Sequence, residues 1–269
     1  MTTTEKKISI MFKHYNQKIK DIWDNYNFNM QYLPIIHKSV KENKLPQFNV
    51  IGLSENERVH TKEKTVTFGI VYRLQLNNVP YQALVEGVAL TEDYIKNIAE
   101  IVYKEFPGRI LVTDNGDEKE EKYMSIILTS IDRDEILDRI IEEKLRSIFY
   151  GNPADIFLKD KCKLEFGNYF KDHYLNLIKT YIEVLSMRNI IIHNDARIDR
   201  KYIRENKGST KKLGEKVKLD HIYIRDSFIL MRGLCAITSQ LVQEKIYKVD
   251  NKKTIIYHYY KIFEDKFKK

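Results

Sequence analysis

Three polar residues that could act on a phosphodiester stand at the end of an apolar stretch: Arg188, Asn189 and His193. An imidazole can accept or donate a proton near neutral pH. A guanidinium presents a planar pair of donors to phosphate, and a carboxamide can orient either group. RNA carries its own nucleophile, the 2′-OH. Its cleavage therefore needs a base, an acid and a group that stabilises the charge on the phosphorane.

The spacing of these residues limits how they can meet. On a helix Asn189 and His193 share a face, whereas Arg188 and His193 are about 140 degrees apart. Arg188 and His193 can converge on one ligand only if the helix ends or bends near His193, or if the Arg188 side chain reaches round the helix. Because one histidine cannot easily be base and acid at the same moment, we predict an active homodimer with two copies of the motif.

A strongly basic segment follows the motif. Between Arg188 and Lys218 there are ten Lys or Arg against four Asp or Glu, so most of the chain's net charge of +8 lies here. Such a segment can track the backbone of RNA, and Tyr202 and Tyr223 could stack on unpaired bases. A solvated loop in a Lys-rich protein fits the same composition. The predicted RNA-binding residues are Arg197, Arg200, Lys201, Arg204, Lys207, Lys211 and Lys212.

Composition limits the class of protein. Ten Gly and five Pro in 269 residues favour helices over strands joined by tight turns. Two cysteines, Cys162 and Cys235, cannot form a disulfide scaffold, so we expect a cytoplasmic protein. We expect neither a signal peptide nor a membrane-spanning helix. The remaining histidines lack the paired spacing of a zinc site, so no metal and no cofactor is predicted.

Helical periodicity recurs along the chain and predicts an antiparallel helical bundle. Residues 66–76 fit a strand or a helix equally well, and 48–51 could form a short strand with no obvious partner. We predict an N-terminal extension, helical in part, over 1–65, a helical domain over 66–250, and a basic aromatic tail over 251–269. The tail favours a helix that packs its aromatic side chains on the bundle. The predicted helices span 8–29, 35–42, 81–106, 131–150, 154–165, 169–192 and 222–247.

Two motifs resemble the HEPN family (higher eukaryotes and prokaryotes nucleotide-binding). The first is Arg188-Asn189-Ile190-Ile191-Ile192-His193-Asn194-Asp195, of the R-x4-H type, with Arg200-Lys201-Tyr202-Ile203 after it. The second is Tyr150-Gly151-Asn152-Pro153, between a long helix and a short one. The resemblance covers roughly residues 66–249. This part of the chain is similar to the HEPN proteins of bacterial abortive-infection and toxin systems.

The resemblance implies an all-α, HEPN-like bundle and a metal-independent endoribonuclease that acts as a homodimer. Arg188, Asn189 and His193 would form its active site. It also implies a role in antiviral defence or as a toxin, with an antitoxin or another regulatory partner. The alternative is a non-catalytic HEPN-type scaffold that binds RNA, a nucleotide or a partner protein. In that case His193 could serve as a helix cap, and Arg188 could pair with Glu183 or Asp195.

Overall fold

The computed structural model describes residues 3–52, 59–110, 117–150, 154–250 and 252–267. Its described part is mostly helical, with one two-stranded sheet, which confirms the prediction of an all-α helical bundle. The strands are β1 (Phe48–Ile51) and β2 (Val59–Lys62), and short π and 3-10 turns span Leu74–Asn78 and Pro107–Arg109. The helices are α1 (Thr3–Lys41), α2 (Lys64–Arg73), α3 (Val79–Glu105), α4 (Asp117–Thr129), α5 (Arg133–Phe149), α6 (Ala154–Leu158), α7 (Tyr169–His193), α8 (Arg200–Glu205), α9 (His221–Lys245) and α10 (Ile255–Phe267).

Several predicted boundaries were wrong. Helix α1 runs through Pro34 instead of breaking before it, because buried Leu33 and Val40 keep the helix packed on both sides of the proline. The short strand predicted at 48–51 does have a partner, since Phe48 pairs with Lys62 in an antiparallel hairpin. Residues 66–76 are helical.

The helix predicted over 154–165 ends at Leu158. After it, Asp160 turns the chain by accepting hydrogen bonds from the backbone N–H groups of Leu164 (2.8 Å) and Phe166 (3.2 Å). The backbone at Asp160 also has a positive φ of 47°. The charged stretch 113–122, whose composition predicts a loop, lies partly outside the described residues, and its described part from Asp117 onward belongs to α4.

The chain forms two compact units, each built from separated segments. The first unit contains Met1–Gln17, Val88–Leu185 and Ile229–Lys269. The second contains Lys18–Gly87 and Ser186–Phe228. The limits proposed from the sequence, at residues 65 and 250, stay a prediction.

The core of the first unit surrounds the second half of α9. Tyr15 and Tyr94 lie with ring centroids 4.7 Å apart, and both side chains are buried. Their hydroxyls are hydrogen-bonded to Thr91 (3.0 Å) and Ser239 (2.6 Å), which satisfies polar groups that would otherwise destabilise the core. Burial raises the pKa of the Cys235 thiol.

The aromatic tail forms α10, as the packing interpretation predicted. Its residues Ile256 and Phe263 are buried, and the ring of Phe263 lies directly against Gly233 of α9. A Cβ added at Gly233 would overlap that ring. The close approach of α10 therefore depends on glycine at this position.

We predict that Gly233→Ala destabilises the protein by about 1–3 kcal/mol, because the Phe263 ring must move out of a packed core. Gly69→Ala is the matched control, since Gly69 is also helical and its nearest contact is the flexible end of Arg73 at 3.4 Å. Alanine there should stabilise by about 0.5–1 kcal/mol. Urea denaturation measures both values, and equal effects would contradict the proposed role of the ring.

The second unit has a smaller core in which α1 packs on α2. Leu33, Val40 and Val71 are buried together, and Phe68 and Val79 pack against them. No helix in the described ranges has an apolar stretch long enough to cross a membrane.

Candidate functional site

The three motif residues lie in the last two turns of α7, within the second unit. Arg188 and Asn189 are half-buried, whereas His193 is exposed and is the last residue of the helix. Of the isoleucines between them, Ile190 is buried and anchors this turn. None of the three side chains is fully buried, although the Nε atom of Arg188 is inaccessible to solvent, so all three remain candidates for binding a ligand.

Helix α7 is regular from residue 188 to 193, since its one non-helical backbone position is Tyr174. Asn189 and His193 therefore share a face, one turn apart. Arg188 leaves the helix about 140 degrees away from His193. Within one chain the helix groups the three residues at one end, but it does not aim the guanidinium and the imidazole in the same direction.

The end of α7 is defined by the backbone. The N–H groups of Asn194 and Ala196 both donate to the carbonyl of Ile190, at 3.0 Å each. Asp195 and Ala196 adopt left-handed conformations, with φ of 48° and 55°. The Asn194 side chain donates to the carbonyl of Arg197 (2.6 Å) and fixes the turn. The helix thus ends at His193, which was one of the two conditions for Arg188 and His193 to approach a common ligand.

After this turn, a short antiparallel pairing joins the beginning of the basic segment to its end. The N–H of Ile198 donates to Glu215 (2.9 Å), and the N–H of Val217 donates to Ala196 (2.8 Å). The Tyr81 hydroxyl donates to the carbonyl of Val217. Burial, and then the negative charge of Asp195, raise the pKa of Tyr81, so its hydroxyl keeps the proton that it donates.

Helix α8 lies inside this closed segment. Its N-cap is Asp199, whose carboxylate accepts from the N–H of Tyr202 at 2.7 Å. Tyr202 is 1% exposed, so the prediction that it stacks on unpaired bases was wrong: the ring is the apolar anchor of α8. Tyr223 is half-buried, and its stacking stays a prediction.

The basic side chains predicted to bind RNA are mostly exposed. Lys211 is half-buried, and Arg197 supports the local fold by donating to the carbonyl of Gly214 at 3.2 Å. The three cations of α8 form no ion pair within the described part of the chain. The exposed residues are Arg197, Arg200, Lys201, Arg204, Lys207 and Lys212.

Sequence reasoning missed the residues that hold this segment in place. Tyr81 lies 136 residues before its partner Val217, so no local pattern could have revealed the contact. Asp199, in contrast, was detectable as an acidic residue directly before the helical run Arg200–Glu205. Both residues hold the backbone of the basic segment in place.

Two further findings bear on the site. Among the described residues, no group of three or more His, Cys, Asp or Glu could hold a metal ion. The comparisons with protein-family models, curated proteins and solved structures found no match. The resemblance to the HEPN family therefore stays a prediction that rests on the motif. In the second motif Tyr150 is exposed, and residues 151–153 lie outside the described ranges.

We predict that Asp195→Val destabilises the protein by about 1–2 kcal/mol, because a β-branched residue is strained at a positive φ. Asp195→Asn is the matched control. This substitution also removes the charge that lies 3.6 Å from the Lys216 ammonium, but asparagine tolerates the left-handed conformation. Denaturant unfolding separates the two variants, and equal free energies of unfolding would show that the turn carries no strain.

Proposed function

We propose that this chain is a metal-independent, cytoplasmic endoribonuclease of the HEPN type that acts as a homodimer. The observation that carries the proposal is the exposed His193 at the end of α7. Half-buried Arg188 and Asn189 lie about one turn before it, and an exposed basic segment follows it. An exposed imidazole beside cations suits a polyanionic substrate that supplies its own nucleophile.

The proposed reaction is an in-line displacement at phosphorus. His193 of one copy takes the proton of the 2′-OH, and the 2′-oxygen attacks the adjacent phosphorus. The bond from phosphorus to the 5′-oxygen breaks, and His193 of the second copy donates a proton to that oxygen. The products are a 2′,3′-cyclic phosphate and a free 5′-OH.

Arg188 stabilises the charge of the phosphorane, and Asn189 orients the imidazole or the phosphate. The regular geometry of α7 supports the need for two copies. Because Arg188 and His193 leave one helix on different sides, the arginine of one copy and the histidine of the other are better placed to act on the same phosphate.

The first test is cleavage of total RNA by the purified chain in EDTA. We expect His193→Ala and Arg188→Ala each to lower the rate by about 10²–10⁴-fold, as expected for the loss of a general acid–base or of a charge stabiliser. His14→Ala, which removes another exposed histidine, is the control and should leave the rate unchanged. Cleavage that persists in His193→Ala refutes the assignment.

A second test concerns the exposed cations of α8. Removing Lys201 and Arg204 together should weaken binding to single-stranded RNA. It should also flatten the dependence of log affinity on log salt by about 0.7 for each lost phosphate contact. Lys6→Ala with Lys13→Ala removes the same charge from exposed positions of α1 and is the control. Equal slopes for both pairs would mean that α8 makes no phosphate contact.

The half-burial of Arg188 favours a second candidate, the non-catalytic scaffold, because a guanidinium held against the helix could serve structure alone. RNA binding without cleavage in the first test supports that alternative. The proposed role in antiviral defence or as a toxin, with an antitoxin or another regulator, rests on the resemblance. Growth arrest on expression that disappears in His193→Ala supports it, and harmless expression of an active enzyme counts against it.

A further inference from the structure

In the second unit α1 has two apolar faces, and one of them is uncovered. Leu33 and Val40 are buried on one side of the helix. On another side of the helix, four large apolar side chains lie within an arc of about 100 degrees around the helix axis. A helix with apolar residues on several sides is ordinarily buried on all of them. We call the exposed group the α1 stripe: Phe28 (61% exposed), Tyr32 (43%), Ile35 (57%) and Ile36 (38%).

The α1 stripe is one continuous patch. The rings of Phe28 and Tyr32 lie with their centroids 4.6 Å apart, and Ile35 and Ile36 occupy the next turn of the helix. Single exposed apolar residues are common on protein surfaces, but a cluster on consecutive turns is typical of an interaction site.

The charges beside the stripe show which partner fits it. Asp24 lies seven residues before Gln31, and Lys38 lies seven residues after it. The two side chains are about 40 degrees apart around the helix, on the same side of the stripe. One turn farther out, Lys20 and Glu42 lie eleven residues before and after Gln31. The acidic and basic positions therefore exchange about Gln31, which borders the stripe on one side.

This order makes the surface complementary to itself. If a second copy of α1 packs antiparallel, with a twofold axis near Gln31, Asp24 of each copy faces Lys38 of the other. Lys20 then faces Glu42 in the same way, and Phe28 meets Ile35. Within its own chain Glu42 already lies 3.9 Å from the Lys38 ammonium and 2.6 Å from that of Lys44, so the pairs between copies would extend an existing network of charges. A lipid surface would not benefit from the two carboxylates, because anionic headgroups repel them.

We propose that the α1 stripe is a twofold interface with a second copy of this chain, formed by antiparallel packing of α1 on α1. The inference goes beyond the proposed function and does not rest on it, because no residue of the interface belongs to the motif. Four apolar side chains supply only part of the roughly 800 Å² per partner that a standard interface buries. The dimer should therefore dissociate on dilution, with a Kd in the micromolar range, about 1–100 µM.

Sedimentation equilibrium of the full chain at increasing concentration tests this. The mass should rise with concentration, from 32.1 kDa toward twice that value or, where the motif dimer of the proposed function also forms, from twice toward four times that value. Ile35→Glu should raise the Kd at least tenfold. Ile10→Glu is the control and should leave it unchanged, since Ile10 lies on the same helix with nearly the same exposure (56%) but about 27 Å from Phe28. Far-UV circular dichroism verifies that each variant keeps its helices.

Charge reversal distinguishes a second copy from any other partner. Asp24→Lys and Lys38→Asp should each raise the Kd about fivefold or more, because each places like charges opposite one another twice in the dimer. The double variant should associate more tightly than either single variant, since it restores the pairs between positions 24 and 38 of the two copies. It should not fully reach the wild-type value, because each new charge lies one turn from a like charge, at Lys20 or Glu42. A double variant as weak as the two single ones overturns the antiparallel arrangement.

A wild-type chain whose mass does not rise up to about 100 µM overturns the proposal, as does an association step that Ile35→Glu leaves unchanged. A dimer that persists in Ile35→Glu below that step belongs to the motif and leaves the proposal standing. Binding to phosphatidylserine vesicles that Ile35→Glu abolishes, with no dimer formed, would assign the stripe to a membrane instead. If the protein forms the dimer that depends on the α1 stripe but cuts no RNA, the interface is supported and only the proposed nuclease activity is overturned.

Discussion

The candidate site depends on one backbone carbonyl, that of Ile190, which accepts hydrogen bonds from both Asn194 and Ala196. This pair of bonds stops α7 at His193 and turns the chain through two left-handed residues. If the helix continued, the imidazole would lie on a regular helical face and the basic segment would start elsewhere. Because it stops, the chain can return and pair residues 196–198 with residues 214–217.

Because α8 is held in a fixed position, its cations are already positioned to bind an anion. Asp199 caps the helix and Tyr202 anchors it in the interior, so Arg200, Lys201 and Arg204 project from a fixed element rather than from a flexible loop. Cations that are already positioned lose less conformational entropy when they bind an anion. The same anchoring explains why an aromatic residue in a basic segment need not be available for stacking.

Local periodicity predicted most of the helices, including the one that carries the motif. The end of α7 was expected at residue 192 and lies at His193, and α3 and α9 differ from their predicted limits by one or two residues. Periodicity did not predict the parts of the structure that depend on contacts between residues far apart in the sequence. The strand Phe48–Ile51 forms because Val59–Lys62 pairs with it, and Pro34 is tolerated because Leu33 and Val40 are buried. The contact of Tyr81 with Val217 has no local signature at all.

The interleaving of the two units has a consequence for synthesis of the chain. The second unit needs no residue beyond Phe228, whereas the first unit includes the segment from Ile229 onward. A ribosome therefore exposes every part of the unit that holds His193 before the other unit has its last segment. The helix residues around Tyr15 can pack on Thr91 and Tyr94 of α3 early, but the contact with Tyr259 of α10 waits until the segment from Ile229 onward has been made. Until then this side of the N-terminal helix is exposed to chaperones and proteases.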